Sequence, residues 1–364
     1  MMVMIRKIYV ILGTKAQLIK MAPVMAELQR REIDYRFIFT GQHRETIDQL
    51  RENFGVKKPD VILYDGADIT GVVQMFFWSW RILLKVLFSK KKIFGDSAPE
   101  DVLLVHGDTF STVLGSLMGR FAGIKVGHVE SGLRSFNYFH PFPEELTRVV
   151  TFYLSDYYFC PGDFAMKNLA KFKGKKVNLG ANTLFDALQL ARENFERVKV
   201  DIPKGKYAVC SVHRFENIFK KDRLEAVVDI LERTVRKLPV LFIMHLPTKK
   251  QLEKFGLMER LEAIEGLELR PRYDYLEFIK LVDAAEFLMT DGGSNQEECF
   301  YLGKPCLLLR MATERDEGLD ENVLLSGYSD DLIDSFVLDY SRYEREPLDL
   351  GESPSKLIVD YLVS

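Results

Sequence analysis

Short apolar runs alternate with longer amphipathic stretches along the whole chain. The runs suited to strands in the first half are residues 8–12, 35–40, 102–106, 125–128, 157–160 and 176–179. In the second half they are residues 207–212, 240–245, 267–271, 287–290, 306–309 and 323–325. Helical apolar spacing separates most of them, for example over 17–31, 109–121, 223–237 and 275–285. A helix with one apolar face must pack back onto the sheet, which sets the next strand parallel to the last. The alternation therefore predicts an α/β fold with parallel sheets covered on both faces. Six such units lie on each side of residue 180, and 364 residues are enough for two domains. The expectation is two Rossmann-like, doubly wound domains facing a cleft, with boundaries at 1–180 and 181–350. The polar stretch 197–206, with Pro203 and Gly205, is the best linker candidate, although the change of domain can also fall nearer Gly180.

Composition narrows the function. Apolar residues make up 47% and charged residues 28% of the chain, as in ordinary water-soluble domains. Fifty basic and 53 acidic residues leave a net charge of -3, which argues against a general nucleic-acid binder, since that needs a net basic face. Cys160, Cys210, Cys299 and Cys306 show no C-x-x-C spacing and read as small apolar residues in a reducing, cytoplasmic setting. The apolar run 8–12 is too short for a signal-peptide core and reads as a first strand.

One stretch raises the question of a membrane. Residues 71–92, GVVQMFFWSWRILLKVLFSKKK, hold both tryptophans. Arg81 and Lys85 interrupt the run, and a charge at the centre of a spanning helix costs about 2.5–3.5 kcal/mol. On a helix Gln74, Arg81 and Lys85 share a narrow stripe, leaving most of the circumference apolar, so something must cover it. A buried helix or a subunit interface is the first reading. A weak membrane-surface contact, helped by Lys90, Lys91 and Lys92, is the second, and a true span the third.

In open parallel sheets, ligands lie beyond the carboxyl ends of the strands. The residues there are polar, glycine-rich and ionisable, and all histidines except His140 are at or beside these strand ends. Gly13-Thr14-Lys15 joins the first strand to a helix, where Lys15 and Lys20 add cations near free N–H groups. Asp291-Gly292-Gly293-Ser294-Asn295 precedes Glu298 and offers a diphosphate a close backbone approach at a helix start, with Glu298 in reach of ribose hydroxyls. Asp108, Glu130 and Glu144 fall in or next to loops at one sheet edge, where gathered carboxylates raise one another's pKa values and suit acid/base work. His213 stands at a strand end of the second half. No metal-ligand spacing and no nucleophile elbow occurs.

Taken together and in order, these segments resemble the UDP-N-acetylglucosamine 2-epimerase family, whose two-lobed fold many glycosyltransferases share. The resemblance rests on GTKAQLIK at 13–20, TGQHRETIDQ at 40–49, the Gly-Asp-Thr of 107–109, GHVESGLR at 127–134 and Pro143-Glu144-Glu145. It continues through NTLFDAL at 182–188, HRFEN at 213–217, residues 290–298, Gly303-Lys304-Pro305 and Thr313-Glu314-Arg315. It implies that Asp108, Glu130 and Glu144 are acid/base carboxylates and that His213 contacts phosphate or shuttles protons. It implies that Lys15, Lys20, Arg134, Gly292, Gly293, Ser294, Glu298 and Arg315 bind substrate, with Phe278 near the uracil. Gln42, Glu45, Arg214 and His245 lie where some members bind a second, activating substrate molecule. The implied reaction inverts C2 of UDP-GlcNAc to give UDP-ManNAc, by elimination and re-addition of UDP, for surface polysaccharide precursors. No metal or cofactor is implied; a homodimer is, and so is a final helix over 351–364 that returns to the first domain. Lys15 stands where many members carry Arg, and Gln17 with Ser135-Phe136-Asn137 is closer to the branch acting on UDP-2,3-diacetamido uronic sugars. That branch, a hydrolysing 2-epimerase releasing ManNAc, and a glycosyltransferase of the same fold are the alternatives.

Overall fold

The computed structural model describes residues 7–42, 47–69, 72–138, 143–313 and 315–364, with the side chains of Val72 and Val73 left aside. Seven strands form the first sheet: β1 (Ile8–Leu12), β2 (Tyr35–Phe39), β3 (Val61–Ile62), β4 (Val102–His106), β5 (Lys125–Val129), β6 (Tyr157–Cys160) and β7 (Lys175–Asn178). Their order is β3-β2-β1-β4-β5-β6-β7, and every pairing is parallel. Ile8 lies in register with Tyr35 on one side and Val102 on the other, so the strand order reverses at β1. The second sheet contains β8 (Ala208–Ser211), β9 (Val240–Met244), β10 (Leu267–Pro271), β11 (Phe287–Thr290), β12 (Cys306–Leu308) and β13 (Val323–Leu325). Its order is β10-β9-β8-β11-β12-β13, again parallel, with the reversal at β8. This is the doubly wound α/β architecture expected from the alternation, present twice.

The central strands of both sheets are apolar without alternation because helices cover both of their faces. β1 and β4 are buried at every position. The two-residue β3 escaped the sequence reading because it is too short to show a pattern.

The chain divides into two compact units, Met1–Leu190 with Leu350–Ser364, and Ala191–Asp349. The division falls within the helix Leu184–Glu193, past residue 180, and the polar stretch 197–206 lies inside the second unit. Asp186 on that helix accepts a 2.7 Å bond from the backbone N–H of Ser355. The C-terminal helix Pro354–Val363 thus packs on the first unit, where Arg31 bonds Asp360 at 2.5 Å and Ile358, Val359 and Leu362 are buried. All four cysteines are buried free thiols, and burial pushes Cys160 up to about 12.

The aromatic stretch forms the helix Val72–Phe94, with a non-helical residue at Ser89. Trp78, Ile82, Val86, Ile93 and Phe94 enter the core of the first unit. Among the described residues no helix is long and apolar enough to cross a membrane.

Candidate active site

The first unit gathers its candidates at the carboxyl ends of β1, β4 and β5. Glu130 follows β5 with φ of +61°, a left-handed conformation rarely held by a residue with a side chain. Such strain is kept where surrounding contacts over-determine it, often at functional sites. Here they do: Glu130 Oε1 lies 2.5 Å from Lys20 Nζ, in a pair with both side chains more than nine-tenths buried. The Asn182 amide donates to the same oxygen. His106 Nε2 is 3.6 Å from the other oxygen. Gly107 has φ of +66°, and a Cβ there would come within 3.3 Å of Glu130 Oε2, so the glycine lets the β4 loop lie against the carboxylate.

Asp108 follows in that loop, and its Oδ2 is 2.6 Å from Arg148 Nη2. Thr147 donates its hydroxyl to the Asp108 backbone carbonyl, which ties the loop to the helix Glu144–Leu154. Arg148 also lies 3.6 Å from Glu145. Burial opposes its charge, but Asp108, Glu130 and Glu145 outweigh this and raise its pKa. One guanidinium therefore acts electrostatically on three carboxylates. Glu144, at the start of the same helix, buries its Oε2 without a hydrogen-bond partner among the described residues. The structure thus supplies a paired carboxylate (Glu130), a paired and partly exposed one (Asp108), and one with an unengaged oxygen (Glu144).

Glu145 is fully buried and accepts bonds from Arg134, from Ser135 N at 3.0 Å and from Phe136 N at 3.2 Å. It sets the loop in which Arg134 lies 4.7 Å from the Phe136 ring. Arg148 falls in none of the motifs read from the sequence, and Glu145 and Asn182 fall in two of them without a role assigned. The signal available for Arg148 was its helical spacing from Glu144 and Glu145, which places it near their face.

The β1 loop has a more structural character than its sequence implied. Gly13 is required because a Cβ there would fall 1.9 Å from Ser111 Oγ and 2.2 Å from Thr40 Oγ1. Gln17 accepts from the N–H groups of Gly13 (2.8 Å) and Thr14 (3.2 Å) and donates to the His106 carbonyl at 2.8 Å. It thereby ties the β1 loop to the end of β4. Lys15 is half-buried at the first turn of the helix Lys15–Arg30. Gln42 is buried and accepts from Ser111 Oγ at 2.7 Å. Glu45 lies outside the described residues. His128 bonds the Gly107 carbonyl at 2.8 Å and Ser131 at 2.9 Å, and burial pulls its pKa down to about 4, so it is a neutral structural group.

In the second unit the candidates converge after β8 and β11. Asp291 is fully buried and accepts from the backbone N–H groups of His213 (3.0 Å) and Arg214 (2.9 Å) and from the Asn217 amide (3.0 Å). It fixes the β8 loop beside the Gly292-Gly293 turn. The His213 ring stacks on His245 at 4.6 Å, and Ser211 bonds His245 Nε2 at 3.0 Å. Burial lowers both histidines, with His245 brought to about 3; Asp291 works in the opposite direction on His213.

The helix Gly293–Leu302 starts at Gly292 with no side-chain cap, so its first N–H groups are not claimed by a capping side chain. A Cβ on Gly293 would meet Arg315 Nε at 3.2 Å and Arg214 Nη2 at 3.4 Å. A Cβ on Gly292 would meet His213 Cε1 at 3.3 Å. Two guanidiniums and an imidazole thus flank a helix N-terminus at glycines, an arrangement whose charge and N–H groups suit an anion. Arg315 is held by the buried Glu297 at 2.9 Å. Ser294 is half-buried at the same turn. Glu298 accepts from Asn295 at 2.9 Å. Phe278 is half-buried on the helix Tyr275–Ala284. Among the described residues no cluster of His, Cys, Asp and Glu could hold a metal ion.

Known proteins similar to this chain share one family name. A family model described as UDP-N-acetylglucosamine 2-epimerase matches residues 26–337. A Methanococcus maripaludis protein named UDP-N-acetylglucosamine 2-epimerase is 35% identical, over 97% of this chain and 97% of that one. A Bacillus subtilis protein of the same name is 32% identical, over 98% and 95%. The crystal structure of the Neisseria meningitidis UDP-GlcNAc 2-epimerase bound to UDP-GlcNAc aligns with a TM-score of 0.82 at 27% identity, covering 98% of this chain and 99% of that one.

Proposed function

The chain belongs to the UDP-N-acetylglucosamine 2-epimerase family, and from that premise we propose that it converts UDP-GlcNAc to UDP-ManNAc by eliminating and re-adding UDP. The C2 proton of a hexosamine is not acidic until charge develops at C1. In this reading the C1–O bond breaks first and UDP departs with the electron pair. A carboxylate then removes the C2 proton, forming a 2-acetamidoglucal. A proton delivered to the opposite face of C2, with return of UDP to C1, completes the inversion and balances every atom.

The observation that carries the reading is the grouping of Asp108, Glu130 and Glu145 around Arg148, with Glu144 at the same helix start. Proton removal and delivery on opposite faces need two groups in different protonation states. Asp108 and Glu144 are the proposed pair, and Glu130 with Lys20 shapes the charge near C1 and C2. In the second unit the leaving diphosphate is stabilised by Arg214, Arg315, His213 and the N-terminus of the helix Gly293–Leu302, and the family resemblance adds Lys15 and Arg134 of the first unit as substrate-binding cations. Glu298 receives the ribose, and Phe278 the uracil. Gln42, Glu45, Arg214 and His245 are the proposed second-substrate residues. The product serves as a surface polysaccharide precursor in this reading, and the enzyme is a cytoplasmic homodimer.

Incubation with UDP-GlcNAc in deuterated water, followed by proton NMR, tests the proposal. The expected result is a C2-deuterated manno nucleotide sugar. Release of UDP with free ManNAc would make it a hydrolysing enzyme, and an intact C2–H signal would refute epimerisation.

A further inference from the structure

Arg315 reaches the Gly292-Gly293 turn from a loop, and a loop residue is only as well placed as the contacts that hold its backbone. The loop runs from β12 to β13, and Arg315 lies in neither a strand nor a helix. Further along, the loop closes on itself: the N–H groups of Glu321 and Val323 bond the Gly318 carbonyl at 3.1 and 2.9 Å. The stretch that carries Arg315 is instead gripped by a side chain of the helix Gly293–Leu302, and all of these residues lie in the second unit.

That side chain is Gln296. It is fully buried, one turn in from Gly292, and its backbone N–H bonds the Gly292 carbonyl at 3.0 Å. Its Nε2 donates to the Arg315 carbonyl at 3.2 Å and to the Glu317 carbonyl at 2.9 Å. Its Oε1 accepts from the Thr313 hydroxyl at 2.8 Å. Both N–H donors of one amide thus go to carbonyls two residues apart, and its oxygen to a side chain two residues before them. Thr313 Oγ1 in turn accepts from the Arg315 N–H at 3.3 Å. A buried amide has no water to replace these partners, so the clasp is costly to open.

The tip of Arg315 is fixed separately. Its Nη1 lies 2.9 Å from Glu297 Oε2 and 3.4 Å from Glu317 Oε1. Those ion pairs restrain the end of a long, rotatable side chain, whereas Gln296 restrains where that side chain begins. The helix turn that offers N–H groups at Gly292 and Gly293 is therefore the turn that holds the backbone of the arginine beside them.

We propose that Gln296 is a positioning residue for diphosphate binding: by clasping the backbone at Arg315 and Glu317 it sets the Arg315 guanidinium beside Gly293. Gln296 acts through Arg315 and not by contact with the substrate. The inference rests on the reading of Arg315 as a diphosphate ligand.

The test titrates the full chain with UDP by calorimetry and with uridine by NMR. Gln296→Met removes the three amide bonds at nearly constant volume. It should weaken UDP binding roughly tenfold and leave uridine binding within about twofold, because uridine lacks the diphosphate that Arg315 addresses. Arg315→Met should show the same pattern. In Q296M/R315M the UDP loss should match that of R315M alone, since nothing is then left to position. Thr313→Val, at a half-buried position, should give a smaller loss of the same kind that also vanishes beside R315M. It decides the question if urea unfolding followed by circular dichroism shows that Q296M is not folded. Loss of UDP and uridine affinity together, or losses that add in the double variant, would overturn the proposal. So would parental UDP affinity in Q296M beside a clear loss in R315M. Parental UDP affinity in R315M would refute the diphosphate role of Arg315 itself and take this inference with it.

Discussion

Replacing Glu130 by glutamine separates the folding role of this residue from its chemical one. Glu130 and Lys20 meet at 2.5 Å with side-chain exposures of 7% and 6%, so little solvent screens the pair. Removing one partner of such a pair strands a charge and costs about 3–5 kcal/mol. Glutamine retains an acceptor for Asn182 and Lys20, which places the expected loss near the lower end, about 3 kcal/mol. Both tryptophans, Trp78 and Trp80, belong to the first unit, so urea unfolding followed by tryptophan emission reports on the unit that carries the pair. The companion variant Lys20→Met/Glu130→Gln removes both charges and should recover most of the lost stability, because no buried charge is then left alone. Its turnover should remain at least about 100-fold below the parent, as for the single variant, because both lack the carboxylate charge proposed to act near C1 and C2, and removing one such electrostatic group costs roughly that much. A Glu130→Gln protein as stable as the parent would refute the buried-pair argument. A double variant that regained turnover along with stability would show that Glu130 acts on the fold alone.

Further outcomes follow from the same geometry. Asp108→Asn should lower turnover at least about 100-fold while UDP binding measured by calorimetry is retained, since Asp108 lies in the first unit and the proposed diphosphate-binding residues Arg214 and Arg315 in the second. Arg315→Lys should weaken UDP binding by roughly tenfold or more in the same assay, because an ammonium cannot reproduce the guanidinium fork beside Gly293. Gly13→Ala should destabilise the first unit by about 1–3 kcal/mol in urea, since the new methyl would overlap Ser111 and Thr40. His128, lowered to about 4 by burial, should make the first unit lose stability as pH falls from about 6.5 to about 4. The sign follows because protons then bind the unfolded chain first. His128→Gln should flatten that part of the urea-midpoint profile, and an unchanged slope would remove His128 as its source.

The regular elements were legible because their causes are local. A strand such as Ile8–Leu12 needs apolar residues on both faces, and the helix that follows needs one apolar stripe, and both requirements are written in neighbouring residues. The same holds for the chemistry at strand ends: Asp108, Glu130, His213 and the Gly292-Gly293 turn all follow strands that the pattern had already located. The two faces of the Val72–Phe94 helix were not separable, because both arcs are apolar and periodicity cannot tell the one that meets the core from the one that does not.

Sequence by itself determined the repeated strand–helix order, the parallel sheets and the chain positions where polar loops emerge, since each depends on residues a few places apart. Tertiary structure decided which groups pair: Lys20 with Glu130 across 110 positions, Asn182 with Glu130 across 52, Arg148 with Asp108, and Asp186 with Ser355 across 169. Those partners are chosen by where burial forces charges and amides to find one another, and burial is a property of the packed chain.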